Sequence, residues 1–100
     1  MTAMPTDTAP LHITHNEAET QFETTVDGLL CVAAYRRSPG MVDFHHTGVP
    51  RALEGRGIAA ALVREALAWA AAEGLAVRPS CSYVRVFIRR HPELAVRQAG

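Results

Sequence analysis

Hydrophobic and polar residues alternate over much of the first half of the chain. A period of two is typical of half-exposed β-strands, and it predicts strands at residues 11–16 and 22–26. Residues 29–35 are more uniformly apolar, as in a central strand, and residues 41–49 form a fourth predicted strand. Asp27-Gly28, between the second and third segments, is a strong hairpin signal. The first half therefore predicts an antiparallel meander.

Apolar residues in the second half switch to helical spacing. Between residues 57 and 73 they recur at steps of three and four without a proline, and Gly74 then provides a stop signal. Residues 76–80 are short and apolar, which predicts a strand. Residues 82–90 alternate apolar and basic side chains at helical spacing and end before Pro92. A strand, a helix and another strand in this order require a parallel strand pair across the helix.

These elements together predict an α+β fold with a mixed, mostly antiparallel sheet. A chain of 100 residues is long enough for one modest hydrophobic core, so we expect one domain over residues 11–97. Residues 1–10 contain two prolines and several small polar residues. That composition predicts a disordered N-terminal tail.

Composition excludes several classes of protein. Ten basic and ten acidic side chains give a formal net charge of zero, unlike the basic surface of a nucleic-acid binder. The two cysteines form neither a disulfide framework nor a metal-binding spacing. We find no signal peptide and no apolar run that could span a membrane. The composition predicts a soluble, cytoplasmic protein without metal, nucleic-acid or membrane partners.

The segment between the fourth strand and the first helix predicts a phosphate site. It contains Gly55 and Gly57 together with Arg51 and Arg56. The first turn of a helix has unpaired N–H groups and the positive end of the helix dipole. Glycines let a phosphate approach those groups, and arginines add positive charge. No Lys-Ser/Thr pair follows the glycines, so the segment is not a P-loop for a nucleoside triphosphate.

The strand meander followed by this loop, a helix and a strand resembles the core of the GNAT (N-acetyltransferase) superfamily. Gly57 and Ala59 match the last two positions of its phosphate-loop pattern, whereas Glu54 replaces the usual Gln or Arg. The chain is most similar to a minimal single-domain branch, at residues 46–50, 53–60, 79–84 and 89–92. This resemblance covers roughly residues 12–95.

The resemblance implies that acetyl-CoA is bound, with its pyrophosphate over the loop. Its pantetheine would lie in a cleft between two splayed parallel strands, residues 41–49 and 76–80. The residues predicted to bind the cofactor are Val49, Gly55, Arg56, Gly57, Ile58, Ala59, Ala60 and Ser82. Arg90 and His91, with Arg89, are either a site for the 3′-phosphate of CoA or a solvated basic helix end.

Cys81 is the leading candidate for a reactive group. It stands where a strand ends and a helix begins, and a helix N-terminus stabilises the nucleophilic thiolate. In the minimal branch, the resemblance implies that the matching cysteine accepts the acetyl group or assists its transfer. The alternative is a small buried hydrophobic residue, which is the role we predict for Cys31.

His46 and Tyr83 are the other predicted catalytic residues. His46 lies near the end of the fourth strand and is a candidate general base. In a regular strand His45 points to the opposite face, so only one of the two faces the cleft. The resemblance implies that Tyr83 protonates the departing CoA thiolate. The alternatives are a histidine hydrogen-bonded at the sheet surface and a tyrosine that only packs.

The leading functional prediction is an acetyl-CoA-dependent N-acetyltransferase that acts on an unknown amine. Transfer is either direct or through an acetyl-Cys81 intermediate. The alternative is a non-catalytic CoA-binding or acyl-CoA-binding module that acts with a homodimer mate or a partner protein. It is motivated by size, because larger relatives have extra helices after the first strand and this chain has only residues 17–21 there. A third possibility is an unrelated α+β domain with a chance glycine loop.

Overall fold

Five strands form one mixed sheet in the computed structural model, which describes residues 11–99. Their spatial order is the order of the sequence: β1 (Thr14–Asn16), β2 (Gln21–Val26), β3 (Leu29–Ser38), β4 (Met41–Gly48) and β5 (Ala76–Arg78). Two α-helices follow β4 and β5, respectively: α1 (Ile58–Ala72) and α2 (Ser82–Arg90). The first four strands are antiparallel, and β4 pairs with β5 in parallel. The predicted α+β fold and its parallel pair are confirmed.

Several element bounds differ from the predicted ones. The first strand begins at Thr14 rather than at residue 11, and β3 continues to Ser38. The fifth strand ends at Arg78, two residues early, because Pro79 follows and has no N–H for the sheet. The predicted disorder of residues 1–10 lies outside the described residues.

One hydrophobic core lies between the sheet and the two helices. The first helix contributes a stripe that includes Leu62, Val63 and Ala66, and the second contributes Val84 and Phe87, all of them buried. Alternate residues of the strands complete this cluster, among them Cys31, as predicted. Because both helices pack into the same cluster, the opposite face of the sheet has no helix over it within residues 11–99.

A β-bulge in β4 changes which residues face the helices. Tyr35 pairs with Phe44, whereas its neighbour Ala34 pairs with His46, so His45 is the extra residue. Before the bulge, Val42 and Phe44 face the core. A bulge inserts one residue and shifts the alternation beyond it. Residue 47 therefore lies on the helix side after the bulge, and residue 46 lies on the uncovered face.

Candidate functional site

The start of α1 presents free backbone N–H groups to an open space. Gly57 is the N-cap residue, in the left-handed conformation at φ +78°, and no side chain caps the helix. Gly55 is also left-handed, at φ +86°, a conformation that glycine adopts without steric cost. A Cβ at either position would meet no atom within 4 Å. The loop thus leaves the first-turn N–H groups accessible to an anion.

An open cleft of about 420 Å³ lies over this helix start. A volume of this size suits a small-molecule ligand. Its walls come from β4, the loop, α1 and α2, and consist of Thr47, Val49, Leu53, Glu54, Gly55, Gly57, Ile58, Ala59, Ala60 and Tyr83. The predicted cofactor-binding residues other than Arg56 and Ser82 therefore lie together at one cleft. Thr47 and Leu53 line it as well, although the sequence did not single them out.

Arg56 points away from the cleft, towards the β2–β3 hairpin. Its Nη1 atom lies 3.2 Å from Oδ2 of Asp27, which forms the hairpin turn with Gly28. Asp27 and Gly28 are both left-handed, at φ +52° and +77°, which is the geometry of a type I′ turn. Arg56, which was predicted to contact a phosphate, is therefore paired with a carboxylate in this structure.

The cleft opens where β4 and β5 stop pairing. Their ladder covers only Met41–Asp43 and Ala76–Arg78. Beyond it, one backbone hydrogen bond joins the segments: the Cys81 N–H donates to the Phe44 carbonyl at 2.9 Å. Cys81 is then the N-cap residue of α2. The sequence prediction of splayed parallel strands with Cys81 at a helix start agrees with this geometry.

The Cys81 thiol lies against Thr47 on the helix side of β4. Its Sγ atom is 3.5 Å from the Thr47 Oγ1 atom. Burial by itself raises the pKa of the Cys81 thiol. Hydrogen bonds from the Thr47 side chain and from the Val84 and Tyr83 backbone outweigh that effect, so the pKa lies below its ordinary value. Cys31, by contrast, is a buried core side chain, and its burial raises the pKa of its thiol.

His46 lies on the other side of the sheet. It pairs with Ala34, is exposed, and places its Nε2 atom 3.0 Å from the position that a Cβ on Gly48 would occupy. Within residues 11–99, no hydrogen bond joins His46 to Cys81. The assumption of a regular strand, on which the choice between His45 and His46 depended, is wrong because of the bulge at His45.

Tyr83 separates the cleft from a second cavity of about 450 Å³. Tyr83 is 39% exposed, and burial raises the pKa of its phenol. The second cavity is lined by Ala60, Ser82, Tyr83, Val86, Phe87, Arg90 and His91. Arg89 lines a different cavity, with Arg85 and Ile88. At the predicted basic helix end, Arg90 thus lines the cavity next to the predicted cofactor cleft, His91 lines both cavities, and Arg89 lines only the more distant one.

No helix in residues 11–99 is both long and apolar enough to cross a membrane. The same residues contain no group of three or more His, Cys, Asp or Glu side chains arranged to hold a metal ion.

Comparisons with known proteins agree on one family. Residues 21–97 match the family described as GCN5-related N-acetyl-transferase. Protein NATD1 of Bos taurus is 32% identical over 88% of this chain and 80% of its own length, and protein NATD1 of Mus musculus is 31% identical over 83% and 78%. An NMR structure of a GCN5-like protein from Staphylococcus aureus shares the fold with a TM-score of 0.72 at 24% identity, over 90% of this chain and 89% of that one. The chain belongs to the GCN5-related N-acetyltransferase family.

Proposed function

We propose that this protein binds acetyl-CoA in the cleft over the α1 N-terminus and transfers the acetyl group to an amine. One observation carries the proposal. The cleft that adjoins the uncapped helix start is also lined by Thr47, which contacts the Cys81 thiol. An uncapped helix start suited to an anion therefore lies at the same cleft as Thr47, and a thiol with a lowered pKa lies directly behind that threonine.

The residues present fit the chemistry of the ligand. The pyrophosphate of CoA would accept hydrogen bonds from the N–H groups of Ile58, Ala59 and Ala60, which no side chain caps. Val49 would supply apolar surface for the pantetheine arm, and the buried Leu53 lies behind that surface. Glu54 adds a carboxylate at the same cleft, so the backbone N–H groups rather than this side chain would hold the anion.

We assign Cys81 the role of acyl acceptor. Its thiolate would attack the thioester carbonyl, the carbon–sulfur bond to CoA would break, and acetyl-Cys81 would form with release of CoA thiolate. Tyr83, which lines the cleft, would give the departing thiolate a proton. An amine would then attack acetyl-Cys81, lose a proton and release the thiolate. Direct attack by the amine on acetyl-CoA is the competing route.

His46 is proposed as the base for the amine. It is exposed on the uncovered sheet face, and the Cys81 thiol lies on the helix side. A general base must lie within hydrogen-bond reach of the proton that it removes, so His46 would deprotonate an amine that arrives from the uncovered face, before the amine passes between the splayed strands to acetyl-Cys81. The free Cys81 thiol suits a reducing compartment, and we expect the protein in the cytoplasm.

Calorimetry with CoA, acetyl-CoA and ATP tests the binding step. Gly57→Glu places a carboxylate over the helix start and strains a left-handed position, so we expect CoA binding to be lost. Gly40→Glu is the matched control, because Gly40 is also left-handed, at φ +71°, with open space around it, but lies in the β3–β4 turn. Failure of the wild-type chain to bind CoA, or equal loss in both variants, would contradict the proposal.

Intact-mass measurement after incubation with acetyl-CoA tests the covalent route. We expect a gain of one acetyl group that persists in Cys31→Ala and disappears in Cys81→Ala. Acetyl transfer to added amines by Cys81→Ala at the wild-type rate would instead establish direct attack by the amine.

A non-catalytic CoA-binding module is the second candidate function. It is favoured by the short connection from β1 to β2, where the described chain has a single turn of 3₁₀ helix, Glu17–Glu19, and no helix to cover the sheet. A partner or a second copy would then supply the acceptor surface. CoA binding at the cleft, with no acetyl adduct and no transfer to a panel of amines, would favour this function.

A further inference from the structure

The position of Thr47 depends on the bulge in β4. Without the extra residue His45, the alternation set by Val42 and Phe44 would put residue 46 on the helix side. With it, Thr47 pairs with the buried Ala33, and its side chain lies towards Cys81. The threonine is therefore brought to the thiol by a specific irregularity of the strand.

Both partners of this contact are held by β4: Thr47 belongs to the strand, and Cys81 is hydrogen-bonded to it. The Cys81 N–H donates a hydrogen bond to the carbonyl of Phe44, three residues before Thr47. The Arg85 N–H donates to the Cys81 carbonyl in the first turn of α2. A threonine side chain is also restricted at χ1 by its branched Cβ. The distance of 3.5 Å between Sγ and Oγ1 is thus set by ordered backbone on each side.

Other titratable side chains around this contact make no hydrogen bond with the sulfur within residues 11–99. Tyr83 and Arg85 follow Cys81 on α2, and the Arg85 Nη2 atom donates to the Ser80 carbonyl at 3.2 Å. On β4, His45 and His46 precede Thr47, and His46 lies on the other face. The sulfur shares its side-chain hydrogen bond with Thr47, and either atom can be the donor while the thiol is protonated. Once the thiol is ionised, the hydroxyl must donate.

We propose that Thr47 is a positioning residue that activates Cys81 by donating a hydrogen bond from its hydroxyl to the thiolate sulfur. This inference deepens the proposed acyl transfer, and its consequence for turnover rests on that proposal. A hydroxyl does not remove the thiol proton, which passes to solvent; it stabilises the anion that remains, together with the α2 N-terminus. The cysteine is then a nucleophile without a histidine beside it.

The test is the pH dependence of Cys81 alkylation by iodoacetamide, with the modified residue located by mass spectrometry. Thr47→Val keeps the shape of the side chain and removes the hydroxyl, and Thr47→Ser keeps the hydroxyl. We expect Thr47→Val to move the alkylation profile to higher pH and to lower the rate at neutral pH about fivefold to tenfold, the scale of one typical protein hydrogen bond. We expect Thr47→Ser to stay near the wild type.

Thr25→Val is the matched control, because Thr25 is exposed on β2, and it should leave the profile unchanged. A wild-type profile in Thr47→Val would overturn the proposal. If Thr47→Val fails to fold, as judged by circular dichroism, Thr47→Ala removes the same hydroxyl with less crowding and is measured in the same way. The alkylation profile does not require CoA, so failure of CoA binding in calorimetry would refute the proposed function without affecting this result.

Discussion

At the scale of single residues, Arg56 is paired with a carboxylate beside the proposed phosphate site. Its partner Asp27 belongs to a hairpin turn far away in the sequence, and their side chains are 30% and 62% exposed, respectively. An exposed pair of this kind contributes little to stability, about 0–1 kcal/mol. On the proposed function, its effect on ligand binding would be more direct, because an incoming pyrophosphate would compete with the carboxylate for the guanidinium.

We therefore predict that Asp27→Asn binds CoA more tightly, by about twofold to fivefold at low salt, since an exposed pair is worth at most about 1 kcal/mol. The gain should shrink as salt screens the charges. Arg56→Gln should weaken binding. Glu23→Gln, which alters a carboxylate on β2 that does not contact Arg56, should have no effect. Calorimetry at two ionic strengths gives the comparison. Weaker binding by Asp27→Asn would mean that Asp27 positions Arg56 for the ligand instead of competing with it.

At the scale of elements, α1 joins the core to the phosphate loop. Its buried face packs mainly on β2 and β3, and its first turn forms the wall of the cleft. The helix period identified this element, and the structure confirms it at Ile58–Ala72. Stability therefore depends on the buried face of this helix, and the proposed CoA binding would depend on its first turn.

Leu62→Ala separates these two roles. Leu62 is 0% exposed, so we predict a loss of about 2–5 kcal/mol in the free energy of unfolding, from lost burial and the cavity left behind. Leu30→Ala, at a position that is 51% exposed on β3, should cost about 0.5 kcal/mol or less. Urea unfolding followed by circular dichroism measures both. Equal losses in the two variants would contradict the assignment of Leu62 to the core. The CoA affinity of Leu62→Ala, measured where the variant is still folded, should be nearly unchanged.

At the scale of the whole molecule, the helices leave one face of the sheet uncovered over the described residues. The cleft and Cys81 lie on the helix side, and His46 lies on the uncovered side. Cys81 and His46, which the sequence placed at one cleft, thus lie on opposite faces of the sheet. If the protein is a transferase, the acyl donor and the amine would approach from different sides of the sheet.

The sequence by itself determined the element types, the parallel pair, the helix start at the glycine loop and the buried role of Cys31. These follow from local chemistry: hydrophobic period, glycine conformation, helix ends and the need for a crossover between parallel strands. Three features required the tertiary structure: the bulge at His45, the pairing of Arg56 with Asp27, and the contact of Thr47 with Cys81. Each joins residues far apart in the chain. A bulge shifts every later side chain to the opposite face, and the alternation of nearby residues does not reveal where it lies.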